Sequence, residues 1–183
     1  GVQVNQATFD ATPGDMYSEV AGGSTVIGAS GDGVGGAGMT LSNVSGNVSF
    51  TDLDIYADGA GGALTVGGTG SYAGTSGLRV AAAGATNTLQ ATGGPAAVLS
   101  NLTANTVWSS LTSSNSASTG VSLSNLAGTF SATAGSIASA SGAAFQISGG
   151  TADVTYGGSI TNASNNSIHI SGNTAGTVAF GGA

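Results

Sequence analysis

The sequence predicts an all-β protein, a right-handed parallel β-helix of about seven coils, each of roughly 24 residues with three short strands. Three observations predict it. A short motif returns at near-constant spacing, apolar and polar residues alternate inside each copy, and an Asn or Gly follows nearly every copy.

The motif is plainest in residues 120–125, 143–149 and 166–172. Anchored on the last Ser of each and extended along the chain, it falls at Ser18, Ser42, Gly67, Ser100, Ser124, Ser148 and Ser171, with intervals of 24, 25, 33, 24, 24 and 23. The position before the anchor holds Tyr17, Leu41, Val66, Leu99, Leu123, Ile147 and Ile170, apolar in every copy. Two residues earlier stand Asp15, Met39, Leu64, Ala97, Val121, Phe145 and Ile168, and the residues between these two columns are mostly polar. A period of two with one apolar face is the signature of a strand buried on one side. The position after the anchor is Asn or Gly in Asn43, Gly68, Asn101, Asn125, Gly149 and Gly172, with Glu19 as the misfit. Those two residue types best tolerate positive φ, so a bend is expected there.

A second strand is expected at residues 48–50, 106–108, 129–130, 154–156 and 178–180, and a third, shorter one around Leu53 and Ile55, Leu111, Ile137 and Ile160. One such coil cannot bury its own apolar residues. Coils stacked about 4.8 Å apart bury them in a common column and place like over like. Leu41, Leu99, Leu123, Ile147 and Ile170 are the expected core column, and Asn101 over Asn125 is expected to share amide hydrogen bonds. Right-handedness is the rule for parallel crossovers. A β-sandwich does not require one column pattern seven times, and a propeller blade of about 40–45 residues is too long for this interval. Residues 1–183 are expected to form one solenoid, a mature product or an excised piece of a longer repeat protein, with 68–99 as an irregular coil or loop insertion centred on 81–85.

Composition narrows the function classes. Charged residues are 5% of the chain, against about 25% in ordinary domains, while 40% is hydrophobic, so disorder through charge is excluded. Seven Asp and Glu19 against Arg79 give a net charge of −7. No basic footprint exists for nucleic acid or for an anionic membrane surface. No apolar run approaches the roughly 20 residues of a membrane span, and without Cys there is no disulfide or thiolate site. No cofactor is expected.

Residues 93–183 resemble the repeat-rich parallel β-helix regions of large bacterial extracellular proteins, such as adhesins and autotransporter passengers. The resemblance is carried by residues 120–130, 158–162 and 176–182. It implies a rod-like shape and a secreted or cell-surface location of bacterial type. The expectation is a structural or adhesive segment rather than an enzyme. Its expected partners are neighbouring repeats, further copies joined end to end through open strand edges, or surface glycans.

Few residues carry chemistry. Asp52 and Asp54 flank Leu53, so on a strand both carboxylates leave one outer face roughly 6.6 Å apart. That separation overlaps the one used by inverting glycosidases, which makes a carbohydrate-binding or polysaccharide-degrading β-helix the alternative. With Asp58 they are a candidate calcium cluster, since calcium takes clustered oxygen ligands. The stretch 30–36 is Gly-rich but has neither the Lys nor the following helix of a phosphate loop, so it is expected to be a turn. His169, the sole His, belongs to the outward column with Ser122 and Gln146, and Asp153 is the only late acid near it in sequence. Trp108 and Tyr156 are expected to close the core or cap a bend rather than form a sugar platform, and 86–88 is an isolated Thr-x-Thr.

Overall fold

The computed structural model describes residues 1–6, 24–68, 77–80, 86–162 and 165–181, and in them the chain forms a parallel β-solenoid of about six turns without helices. The first rung contributes β1 (Val2–Asn5) and β2 (Thr25–Ile27). The second contributes β3 (Met39–Val44), β4 (Val48–Phe50) and β5 (Leu53–Ala57), and the third β6 (Leu64–Gly68), β7 (Leu78–Val80) and β8 (Thr88–Thr92). In the fourth, β9 (Ala97–Trp108) runs through the bend and covers two faces before β10 (Ser110–Ser114); β11 (Val121–Ala132) and β12 (Gly135–Ala138) repeat this in the fifth. β13 (Phe145–Gly150), β14 (Asp153–Tyr156) and β15 (Ser159–Thr161) make the sixth, and β16 (Ile168–Ser171) and β17 (Val178–Phe180) the last. The principal sheet follows the order β1-β3-β6-β9-β11-β13-β16, all parallel, and a second sheet stacks β2-β5-β8-β10-β12-β15.

Register delivers the like-on-like columns. Leu99 pairs with Leu123, Leu123 with Ile147 and Ile147 with Ile170, while Leu41 pairs with Val66 and Val66 with Leu99. Leu41, Leu99, Leu123 and Ile147 are buried; Ile170 belongs to the same column but is 45% exposed, with no described residue stacked above it. Dispersion and hydrophobic burial along this column tie each rung to its neighbours. On the second face, Trp108, Ala132, Tyr156 and Phe180 share one column, so the largest side chains are spaced by a small one. Phe145 from the first face wedges among Phe130, Tyr156 and Phe180, with ring centroids 6.4, 5.6 and 5.2 Å away.

The bend after the anchor is left-handed at five of the six expected Asn or Gly positions, Asn43 (φ 52°), Asn101 (53°), Asn125 (48°), Gly149 (72°) and Gly172 (66°), whereas Gly68 continues β6 opposite Val44. Asn125 donates its amide to Asn101 Oδ1 at 3.0 Å, the side-chain bond expected from stacking. Above it the ladder ends at Gly149, where a Cβ would run into the Asn125 carboxamide.

One sequence expectation needs correction. The first rung is not anchored on Ser18, which lies outside the described residues together with Asp15, Met16, Tyr17 and Glu19. Val2, Val4 and Asn5 occupy the columns of Met39, Leu41 and Ser42, and Gln6 (φ 56°) takes the bend. The first interval is therefore longer than the repeat, like the third. Leu111, Ile137 and Ile160 lie on the third-face strands as expected, without forming one column. Leu111 stacks on Leu89 and so over Ile55, whereas Ile160 stacks on Ile137 and Ile137 on Ser113. A shift of two residues keeps the inward face, and bare Gly120 leaves room for the Ile137 Cγ2 methyl. In the span 68–99, residues 78–80 and 88–92 are regular strands, while 69–76 and 81–85, including Tyr72, lie outside the described residues.

Candidate functional site

The strongest acidic candidates sit where β5 begins. Its alternation buries Leu53, Ile55 and Ala57 and turns Asp54 outward, between Val26 of β2 below and Thr88 of β8 above. Asp52 occupies the bend just before the strand, and its carbonyl accepts a bond from Thr25 N at 2.9 Å. One carboxylate oxygen of Asp52 and one of Asp54 are shielded from solvent without a hydrogen-bond partner. The pair stands on the outside of a stacked sheet. Beside Asp54 the hydrophobic Val26 is 56% exposed.

Asp58 does not join them. It lies four residues beyond Asp54, roughly 13 Å along an extended chain, and its Oδ2 accepts the Gly33 amide at 2.6 Å. That bond pins the Gly-rich turn to the neighbouring rung. Paired backbone bonds between Ala29 and Asp32 (3.1 and 3.0 Å) close the turn, and Val34 N reaches Tyr56 O at 3.0 Å. A Cβ at Gly33 would meet the Asp58 carboxyl carbon at 2.8 Å, so this position takes Gly because the carboxylate approaches so closely. The stretch 30–36 is thus a fixed turn, and Asp58 is its clasp. Among the described residues no group of three His, Cys, Asp or Glu is placed to hold a metal ion. Calcium wants six to eight oxygens, which the Asp52–Asp54 pair falls far short of supplying.

The remaining candidates resolve into structural roles. His169 is exposed in the column of Gln146, as its outward position predicts. Asp153 is not its partner; the Asp153 carboxylate accepts Thr177 N at 2.7 Å and holds the last rung. Trp108 and Tyr156 are fully buried, so neither offers a platform for a sugar. The Tyr156 hydroxyl donates to Leu111 O at 3.2 Å, and burial pushes its pKa well above the ordinary phenol range. A cavity of about 270 Å³ borders the edge of β1, lined by Gly1, Val2, Gln3, Gly36, Ala37 and Thr40 with no carboxylate among them.

One residue of consequence gave no signal in the sequence. Asn87, the centre of the isolated Thr-x-Thr, is 1% exposed and points inward. Its Oδ1 accepts Leu53 N at 2.9 Å from the rung below, and its Nδ2 donates to Val107 O at 2.8 Å in the rung above. Its own carbonyl takes Ser109 N at 2.9 Å. Asn87 brackets three rungs within the 33-residue interval from Gly67 to Ser100, which is longer than the common repeat.

No family model matches the sequence, and no curated protein or solved structure is similar enough to count as a match. Fold and site together define the class of the molecule: a repeat-built parallel β-solenoid whose outer columns are mostly small and uncharged.

Proposed function

We propose that the chain is a structural or adhesive solenoid segment of a secreted or cell-surface protein of bacterial type. The observation that carries this reading is the composition of the outer columns. Ser42, Gly67, Ser100, Ser124, Ser148 and Ser171 follow one another up one face, and Gln90, Thr112, Ser136 and Ser159 up another. Short side chains on a hydrogen-bonded frame let a partner surface approach closely and leave little rotamer entropy to lose on contact. The mechanism is passive: the stacked core holds the rod stiff, and the flat faces space or present what lies along it. The resemblance of residues 93–183 to adhesin and autotransporter passenger repeats supports the same location and role.

The alternative is a carbohydrate-binding or polysaccharide-degrading surface on Asp52 and Asp54, favoured by the one shielded, unpartnered oxygen on each. One experiment separates the two readings. The purified chain and the Asp52→Asn/Asp54→Asn variant are immobilised and challenged with a glycan array and with neutral and acidic polysaccharides. The passive reading expects no release of reducing ends, and any binding to be equal in both proteins. Turnover by the unaltered chain that vanishes in the variant overturns it.

A further inference from the structure

We infer that Asn101, on a corner of the fourth rung, is an acceptor for N-linked sugar. The inference rests on the secreted or cell-surface reading for where the chain meets a glycosyltransferase, and it gives the rod a modified residue of its own.

The triplet Asn-x-Ser/Thr, with x other than Pro, is the pattern that asparagine glycosylation requires. It stands at Asn43, Asn47, Asn101, Asn162 and Asn165, with Ser45, Ser49, Thr103, Ser164 and Ser167 two residues on. A carboxamide nitrogen has two protons, and a sugar replaces one of them. The sugar is bulky and needs water around it. The fold therefore decides which of the five sites keeps a sugar without losing a bond.

Asn47 is 9% exposed and its Oδ1 accepts Gly77 N at 2.8 Å, so a hydrated group there would have to break the rung. Asn162 spends both Nδ2 protons, on Gly142 O at 2.9 Å and Asn166 O at 3.3 Å. Asn43 donates to Asn5 Oδ1 at 3.0 Å, and Asn165 donates to Ser141 O. Asn101 differs from all four. It is exposed, on a left-handed corner at φ 53°. Its oxygen accepts the Asn125 amide at 3.0 Å, and its Nδ2 donates to none of the described residues. A sugar on the nitrogen leaves the bond on the oxygen in place. It costs no hydrogen bond and buries no polar group.

The transfer needs a donor with a leaving group at its anomeric carbon, a sugar linked there to phosphate or pyrophosphate. Asn101 Nδ2 attacks C1. The C1–O bond to the phosphate breaks as the C1–N bond forms, and one Nδ2 proton departs. Nothing is oxidised or reduced, and the remaining N–H keeps the carboxamide planar.

The test is mass spectrometry of the whole chain recovered from the cells that make it, with Asn101→Gln, Thr103→Ala and Thr103→Ser alongside. Elastase is used for digestion, since Arg79 is the one site for trypsin. Thr103→Ala removes the triplet but leaves Asn101 and its bond to Asn125 untouched, and Thr103→Ser restores the triplet. The expected result is a sugar on the peptide that bears Asn101, lost in Asn101→Gln and in Thr103→Ala and kept in Thr103→Ser, with Asn47 bare. Release by an amidase in heavy-oxygen water should leave a labelled carboxylate at position 101. An unmodified Asn101, a sugar that persists in Thr103→Ala, or a sugar at Asn47 in its place overturns the assignment. Fractionation of the same cells reads the location separately: a chain outside the cell without sugar sinks the acceptor and leaves the secreted reading standing.

Discussion

Replacing Asn87 with Ala tests whether the long third rung is held by a buried bracket or merely by its strands. The change removes the acceptor of Leu53 N–H and the donor to Val107 C=O, both supplied by a side chain that is 1% exposed. A buried amide left without a partner costs about 1–3 kcal/mol, and the half-buried Val107 carbonyl adds about 1 more. The expected loss is therefore about 2–4 kcal/mol, a melting shift of roughly 5–15 °C for a chain of this length. Asn87→Asp keeps the acceptor but sets a buried carboxylate against the Val107 carbonyl, so it is expected to cost more at neutral pH and to recover as acid protonates it. Asn105→Ala, at an exposed position of β9, is the control and should fall within about 0.5 kcal/mol of the unaltered chain. A solenoid transmits stability chiefly between nearest rungs, so the second readout is local: hydrogen exchange at Leu53 should quicken far more than at Val121. A loss below about 0.5 kcal/mol with Leu53 still protected would refute the bracket.

Three further outcomes follow from the same geometry. Leu123→Ala, between Leu99 and Ile147, should cost about 2–5 kcal/mol, while Ile170→Ala at the half-exposed last rung should cost about 1 or less; equal losses by urea denaturation would deny the shared column. Tyr156 has a folded-state pKa raised by burial above its ordinary 10.0, so below pH 10 its contribution is complete. Above that pH the unfolded chain loses the proton and the folded chain keeps it, and stability should fall by up to about 1.4 kcal/mol per pH unit. Tyr156→Phe should flatten that alkaline decline, and an unchanged slope would contradict the assignment. Trypsin has one basic residue to cut, Arg79, which lies mid-strand in β7 with β4 on one side and β9 on the other. The folded chain should survive hours of digestion; rapid scission after Arg79 would show that β7 detaches.

What the sequence made legible and what it hid divide along a physical line. Whatever depends on stacking like residues is written as a period, because each rung solves the same burial problem. Leu99, Leu123 and Ile147, the left-handed Asn and Gly corners, and the Asn101–Asn125 amide bond all belong here. The 33-residue third interval shows because recognisable copies bracket it, but the length of the first rung is written nowhere. Carrying a 24-residue ruler backward from Ser42 lands on Ser18, but the first rung is anchored on Asn5, 37 residues before Ser42. Val2 and Val4 show the right alternation at that site; the missing information was the length of the interval, which no period in the sequence records.

The same line runs through the candidate site. Asp52, Asp54 and Asp58 look like a cluster because they are close in sequence and share a parity, yet a strand separates such residues as surely as it aligns them. Asp58 finds its partner 25 residues away, at Gly33, because in a solenoid the nearest neighbour is one turn distant rather than four residues distant. Asn87 is the converse: a polar residue between two Thr reads as surface, and only the rungs above and below reveal an orphan donor and acceptor that its amide alone can join.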